Sequence, residues 1–244
     1  MTINASNTVG EVAQQLPSSI RVFHGLGIDY CCGGNKSIAQ ACHNAGISLE
    51  IVIGRLGELN EAAPDPDFAP WREAPLEELT RHIVDTHHAY VRREIPCLNA
   101  LLEKVDSRHG PIHPDLTRMK LAFGFVAEDM LDHMSKEEQI LFPYINGLER
   151  AGNEGALSPP SCFGSVSRPV DCMMRDHEKA GKQMQQIRDL SGNYTLPEGA
   201  CLSYRALYAG LREFEQDLHR HVYLENSILF PRAIALEARG CAPV

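Results

Sequence analysis

His133-Met-Ser-Lys-Glu137-Glu-Gln-Ile140-Leu141-Phe142-Pro143 is followed, 88 positions later, by His221-Val-Tyr-Leu-Glu225-Asn-Ser-Ile228-Leu229-Phe230-Pro231. In both stretches a histidine and a glutamate stand four residues apart, which on a helix places them on one face, about 6 Å of rise from each other. A single pair of this kind is common on solvated helices. Two copies, each followed at the same offset by Ile-Leu-Phe-Pro, exceed what a solvated face requires, and the spacing is that of metal ligands.

Around these stretches, apolar periodicity predicts four long helices, over about 76–108, 114–148, 168–191 and 201–238. Breakers separate them: Gly110-Pro111, the run 152–167 with Pro159-Pro160, and 192–199. The fold class is all-α, an up-and-down four-helix bundle with a small helical domain before it. Pro96, Pro143 and Pro231 fall late within these helices, where an interior proline costs ~3 kcal/mol and bends or ends the helix. Pro143 and Pro231 each stand ten residues after a histidine, which predicts a shared bend beside a shared site.

The other two helices supply one histidine each. His88 precedes His133 by 45 residues and His177 precedes His221 by 44, so the body reads as two helical hairpins of one plan. At about 100° per residue, His87 lies about 100° from His88, His82 about 240° from His88, and His219 about 200° from His221. These three are expected at the periphery. Glu138 points to a different face from Glu137 and is expected as an exposed charge. The predicted metal ligands are therefore His88, His133, Glu137, His177, His221 and Glu225. Asp129 and Asp217, each four residues before a ligand histidine, are expected to accept its outer imidazole N–H, with an ordinary solvated role as the alternative.

Four imidazoles and two carboxylates without a thiolate suit iron or manganese better than structural zinc. Six side chains exceed the ligand set of one catalytic zinc and predict two metals in the bundle core. With both glutamates bridging and one oxo or hydroxo bridge, about two coordination positions remain for small ligands. The metals also relieve the desolvation and repulsion of two buried carboxylates.

Residues 1–62 form the small helical domain, 63–75 a proline-rich linker and 76–244 the bundle. In the head, Thr8-x-x-Glu11 is a capping box, and Ser37 opens a short helix that Gly46 closes. Eight scattered cysteines do not describe a disulfide scaffold. Cys31-Cys32, flanked by Gly33-Gly34, reads as two thiols on a turn, able to bind iron and react with nitric oxide; a partly buried structural pair is the alternative. A net charge of -9 without a basic stripe excludes nucleic acid as a partner. No basic start with an apolar run and no span of ~18–20 apolar residues occurs, so no membrane association and a cytoplasmic location are expected.

These residues resemble the haemerythrin-like di-iron bundle, and more closely the bacterial repair-of-iron-centres (RIC) family, also described as nitric-oxide-responsive di-iron proteins. In the body the resemblance rests on His88, His133-x-x-x-Glu137, His177 in Asp-His-Glu-Lys-Ala-Gly, and His221-x-x-x-Glu225 with both Leu-Phe-Pro tails. In the head it rests on Asp29-Tyr30-Cys31-Cys32-Gly33-Gly34. An oxygen-carrying haemerythrin differs, with a fifth histidine and an aspartate in the last motif. The resemblance implies two non-haem iron ions with an oxo or hydroxo bridge and repair of iron–sulfur clusters under nitrosative or oxidative stress. Damaged iron–sulfur proteins and nitric oxide are the implied partners, with Cys31 and Cys32 passing iron or nitric oxide onward. Reduction of nitric oxide by the iron pair, and buffering or sensing of nitric oxide or dioxygen, stay open as other readings. So do a homodimer and the role of His109, an auxiliary ligand or a loop residue.

Overall fold

Thr8 and Glu11 set the first helix through the predicted capping box: Glu11 N–H donates to Thr8 Oγ1 at 3.2 Å, and Thr8 N–H to the Glu11 carboxylate at 3.0 Å. The computed structural model describes residues 3–31, 33–59, 67–157 and 159–240; Cys32 and 60–66 lie outside the described residues. The head comprises α1 (Val9–Gln15), α2 (Ser19–Gly25), α3 (Ile38–Ala45) and α4 (Leu49–Gly57). Ser37 caps α3 by accepting from Gln40 N–H, and Gly46, at φ 66°, ends it. An isolated bridge joins Thr8 to Ser37, and no strand occurs among the described residues.

The four long helices are present. The first runs through α5 (Leu76–His82), a wide turn at Ile83–His88 and α6 (Ala89–His109). The second joins α7 (Asp115–Lys136), a wide turn at Glu137–Leu141 and α8 (Phe142–Glu154). The third is α9 (Ser167–Leu190), and the fourth joins α10 (Leu202–Leu224), a wide turn at Glu225–Leu229 and α11 (Phe230–Gly240). α6 packs against α7 and α10, and α7 against α9. Among the described residues no helix is long and apolar enough to cross a membrane.

The wide turns explain the prolines. Phe142 and Phe230 donate their N–H to the carbonyls of Glu137 and Glu225, five residues back instead of four. Pro143 and Pro231 have no N–H to donate, and in a regular helix each ring would press on the carbonyl four residues back. Opening the helix one residue earlier places both prolines in the first turn of a new segment, where they are tolerated. Where a bend is predicted, each helix makes a π turn that begins at a predicted ligand glutamate.

The linker departs from expectation. Of 63–75, the described residues from Asp67 onward are docked: Phe68 is buried against Tyr223 at 4.7 Å between ring centroids, and Trp71 stacks on His82 at 4.2 Å. Arg232 donates to the carbonyls of Trp71 and Ala74 at 2.9 and 2.6 Å. The described part of this proline-rich segment thus packs its aromatic side chains on the bundle. The head is docked as well. Val9, Val12, Phe23, Ile38 and Leu56 share one core with Leu79, Leu141, Tyr223 and Phe230 of the bundle. Arg188 latches it, donating to Gly27 O at 2.6 Å while forking onto Glu215 at 2.8 and 3.1 Å.

Candidate metal centre

All six predicted ligands converge in the bundle interior. His88, Glu137, His177, His221 and Glu225 are 0% exposed and His133 is 1% exposed. Their ligand atoms form two overlapping quartets, His88/Glu137/His221/Glu225 and His133/Glu137/His177/Glu225, each with atoms within 4.8 Å of one another. Both glutamates belong to both quartets. The centre lies between two apolar cores, one holding Leu141, Tyr223 and Ile228, the other Met130, Met134, Val91 and Leu218.

All four imidazoles turn Nε2 inward. His88 and His221 stand 3.1 Å apart through these atoms, and His133 and His177 3.0 Å apart. Neighbouring ligands on an octahedral ion at about 2.1 Å are separated by about 3.0 Å, so each histidine pair spans one coordination edge. Glu225 places Oε1 2.9 Å from His221 Nε2 and Oε2 3.0 Å from His177 Nε2. Glu137 Oε2 lies 3.4 Å from His88 Nε2 and 3.3 Å from His133 Nε2. Neither Glu137 oxygen accepts a hydrogen bond within the described residues, a costly arrangement for a buried carboxylate that a cation relieves. The donor set therefore fits a pair of metal ions.

The local charges agree. Burial opposes ionisation of Glu225, but His221 and His177 outweigh it and hold the carboxyl well below its usual value. For Glu137, burial and Glu225 oppose ionisation, and His133 and His88 prevail. Burial works against a proton on His133, yet Glu137, Asp176 and Glu225 push its pKa up to about 10. Burial, with His88 and His87 adding to it, lowers that of His221 despite Glu225.

Two of the four outer nitrogens form hydrogen bonds with partners that the sequence reading did not assign, while His133 Nδ1 and His221 Nδ1 have none among the described residues. His88 Nδ1 bonds Glu138 Oε1 at 2.6 Å, and His177 Nδ1 bonds Asn226 Oδ1 at 2.9 Å. Glu138 and Asn226 occupy the same place in the repeat, directly after each ligand glutamate. Each fixes the tautomer that leaves Nε2 free for metal. Asp176 faces His133 Nδ1 at 3.6 Å. Glu138 is thus not simply an exposed charge, since it also pairs with Arg92 at 2.8 Å. Asp129 and Asp217 do not serve His133 and His221. Asp129 pairs with Lys179 at 2.7 Å and Asp217 with His87 Nδ1 at 2.8 Å. The ligand rings point to the bundle axis, so their outer edges meet neighbouring helices instead of their own preceding turn.

The repeated Phe of each Ile-Leu-Phe-Pro tail also has a task. Phe142 stacks on His88 at 5.8 Å and Phe230 on His177 at 6.2 Å, walling the imidazoles from water. His82, His87 and His219 stay out of both quartets, although His87 and His219 are each only 5% exposed. His87 lies parallel to the His221 ring at 5.6 Å. His109 ends α6 instead of lying in a loop, with Nε2 3.4 Å from Cys201 Sγ. Cys201 precedes His221 by twenty residues of helix, about 30 Å, so His109 is no auxiliary ligand. Cys31 is half-buried on the turn after α2; Cys32 lies outside the described residues.

A helical bundle whose core holds two Glu-sharing histidine quartets defines a haemerythrin-like metal-binding protein. Comparison with known families agrees: the Hemerythrin HHE cation binding domain matches residues 79–233, and a Domain of Unknown function (DUF542) matches 5–60. The chain is 34% identical over 234 residues to the iron-sulfur cluster repair protein YtfE of Musicola paradisiaca, covering 95% of this chain and 97% of that one. It is 36% identical to the YtfE protein of Edwardsiella ictaluri, covering 93% and 96%. It is 33% identical to a probable iron-sulfur cluster repair protein of Haemophilus influenzae, covering 94% and 97%. The chain belongs to the hemerythrin HHE family and, within it, to the RIC group. Membership implies a non-haem iron-binding site, for which the buried His/Glu cluster supplies the donors.

Proposed function

We propose that the cluster holds two iron ions, one per quartet, joined by Glu137, Glu225 and an oxo or hydroxo group, and that the protein repairs damaged iron–sulfur clusters by donating iron. The observation that carries this reading is the sharing of both glutamates between two four-donor groups. The repair assignment is supported by relatives named for it across nearly the whole chain. When bound, the iron pair supplies redox change and open positions for a small ligand such as nitric oxide. The chain's own contribution is to hold the donors. Glu138 and Asn226 orient His88 and His177, and Phe142 and Phe230 exclude water. Damaged iron–sulfur proteins in the cytoplasm are the targets, with iron as cargo and Cys31 and Cys32 passing it on.

Anaerobic protein loaded with iron and mixed with a nitric-oxide-damaged iron–sulfur enzyme tests this reading. The target should regain activity in proportion to iron delivered, and the Cys31→Ala/Cys32→Ala variant should deliver it more slowly. Recovery no faster than with free ferrous iron contradicts donation. Wild-type delivery by the double variant removes the cysteines from the scheme.

A further inference from the structure

The seam between head and bundle carries a third group of ligand-type side chains, separate from the buried quartets. Asp29 and Cys31 come from the turn after α2 and His219 from α10, and their donor atoms all lie within 4.8 Å of one another. Cys31 Sγ stands 3.5 Å from Asp29 Oδ1, close to the sulfur–oxygen edge of a tetrahedral site built on bonds of about 2.3 and 2.0 Å. His219 Nε2 is 4.0 Å from the same oxygen, too far for a hydrogen bond.

The turn is shaped to hold these groups. Cys31 N–H donates to Asp29 Oδ1 at 3.1 Å. Gly33 leaves room where a Cβ would come within 2.9 Å of Asp29 Oδ2. Tyr30, 2% exposed, is fixed between the rings of His219 at 5.9 Å and Tyr223 at 5.7 Å. Openings reach the cluster from two sides. Asp29 lines a cavity of about 250 Å³ with Gly33, Lys36 and Glu178, and His219 lines another of about 390 Å³ with Gly25 and Gln216.

We propose that Asp29, Cys31 and His219 form a second metal site, holding one exchangeable divalent first-row transition ion with at least one coordination position open. Mixed nitrogen, oxygen and sulfur donors suit Zn²⁺, Co²⁺ and Fe²⁺, and three protein ligands leave a position for water or a passing ligand. His219 is two residues from His221, so the helix that carries one of the buried histidines also carries a donor of this site. As a station for outgoing iron it rests on the repair reading above.

Titration of the iron-loaded protein with Co²⁺ under anaerobic conditions tests the site without any repair assay, so its failure leaves that reading standing. The expected result is one further ion per chain, with thiolate-to-cobalt charge-transfer absorption in the near ultraviolet and unchanged bundle iron. Cys31→Ser and His219→Gln should each abolish the band while retaining bundle iron, which also reports that they fold. Cys32→Ser should keep the band. Asp29→Asn, which preserves shape and removes charge, should weaken Co²⁺ at least tenfold. Absence of the band in the wild type, its survival in Cys31→Ser or His219→Gln, or its loss in Cys32→Ser overturns the proposal.

Discussion

Replacing Glu138 by alanine should weaken one iron and spare the other. His88 Nδ1 reaches Glu138 Oε1 at 2.6 Å, while the ring itself is fully buried, so the variant leaves a buried N–H without its acceptor. A hydrogen bond to a charged group contributes about 1.5–3 kcal/mol. At about 1.4 kcal/mol per tenfold, that is roughly a 10–100-fold loss of metal affinity, the range found for partners of metal-bound histidines. The lost pair with Arg92 adds little, because that guanidinium is 41% exposed and such pairs contribute about 1 kcal/mol or less. The loss falls on the quartet of His88 and His221, since His177 keeps Asn226 and His133 keeps Asp176 nearby. In equilibrium competition with a ferrous chelator, Glu138→Ala should release one iron per chain at about 10–100-fold lower chelator concentration and retain the second. Asn226→Leu should show the same stoichiometry. Release of both irons in one step, or a wild-type curve, refutes the assignment of separate outer supports.

Glu215→Ala leaves the Arg188 guanidinium, 12% exposed, without its fork partner and removes the acceptor of Tyr194 O–H, so unfolding by denaturant should show a loss of about 3–5 kcal/mol. A change below about 1 kcal/mol contradicts the latch. Gly27 and Gly46 both sit at φ 66°, but a Cβ on Gly27 would lie 2.5 Å from Arg188 Nη1 and one on Gly46 meets nothing. Gly46→Ala should therefore cost about 1 kcal/mol and Gly27→Ala about 2–4 kcal/mol; equal melting shifts would show that the guanidinium is not seated there. The Glu237 carboxylate accepts from Val166 N–H, Ser165 and Tyr144, and although burial opposes it these bonds hold its pKa below the usual value. Its stabilisation is present above the unfolded pKa of about 4.3 and is lost as pH falls through the lower folded value. The stability gap between wild type and Glu237→Gln should accordingly shrink between pH 7 and pH 3; a constant gap excludes the linkage.

The bundle was legible because its four apolar periodicities are long and their breakers strong, and the convergence of the six predicted ligand positions because the plan occurs twice. What the sequence could not show lies between helices. Glu138 is expected from its own helical wheel to be an exposed charge, yet the face that it and Asn226 occupy meets the outer edge of a histidine on another helix. Their common place after each ligand glutamate was the available signal. His219 was set aside because it stands about 200° from His221, but the head descends on that side and brings Asp29 and Cys31 to it. The prolines at 143 and 231 predicted a local departure from the regular helix, and only backbone hydrogen bonds reveal that it takes the form of one extra residue in the turn. Docking of residues from Asp67 onward depends on Trp71 meeting His82 and on Arg232, contacts distant in sequence.

Metal analysis of the anaerobically purified protein, combined with iron spectroscopy before and after nitric oxide, tests the central claim most directly. The account predicts two irons per chain, magnetically coupled through their bridges, with a spectrum altered by nitric oxide. A preparation holding a single zinc and no iron contradicts it.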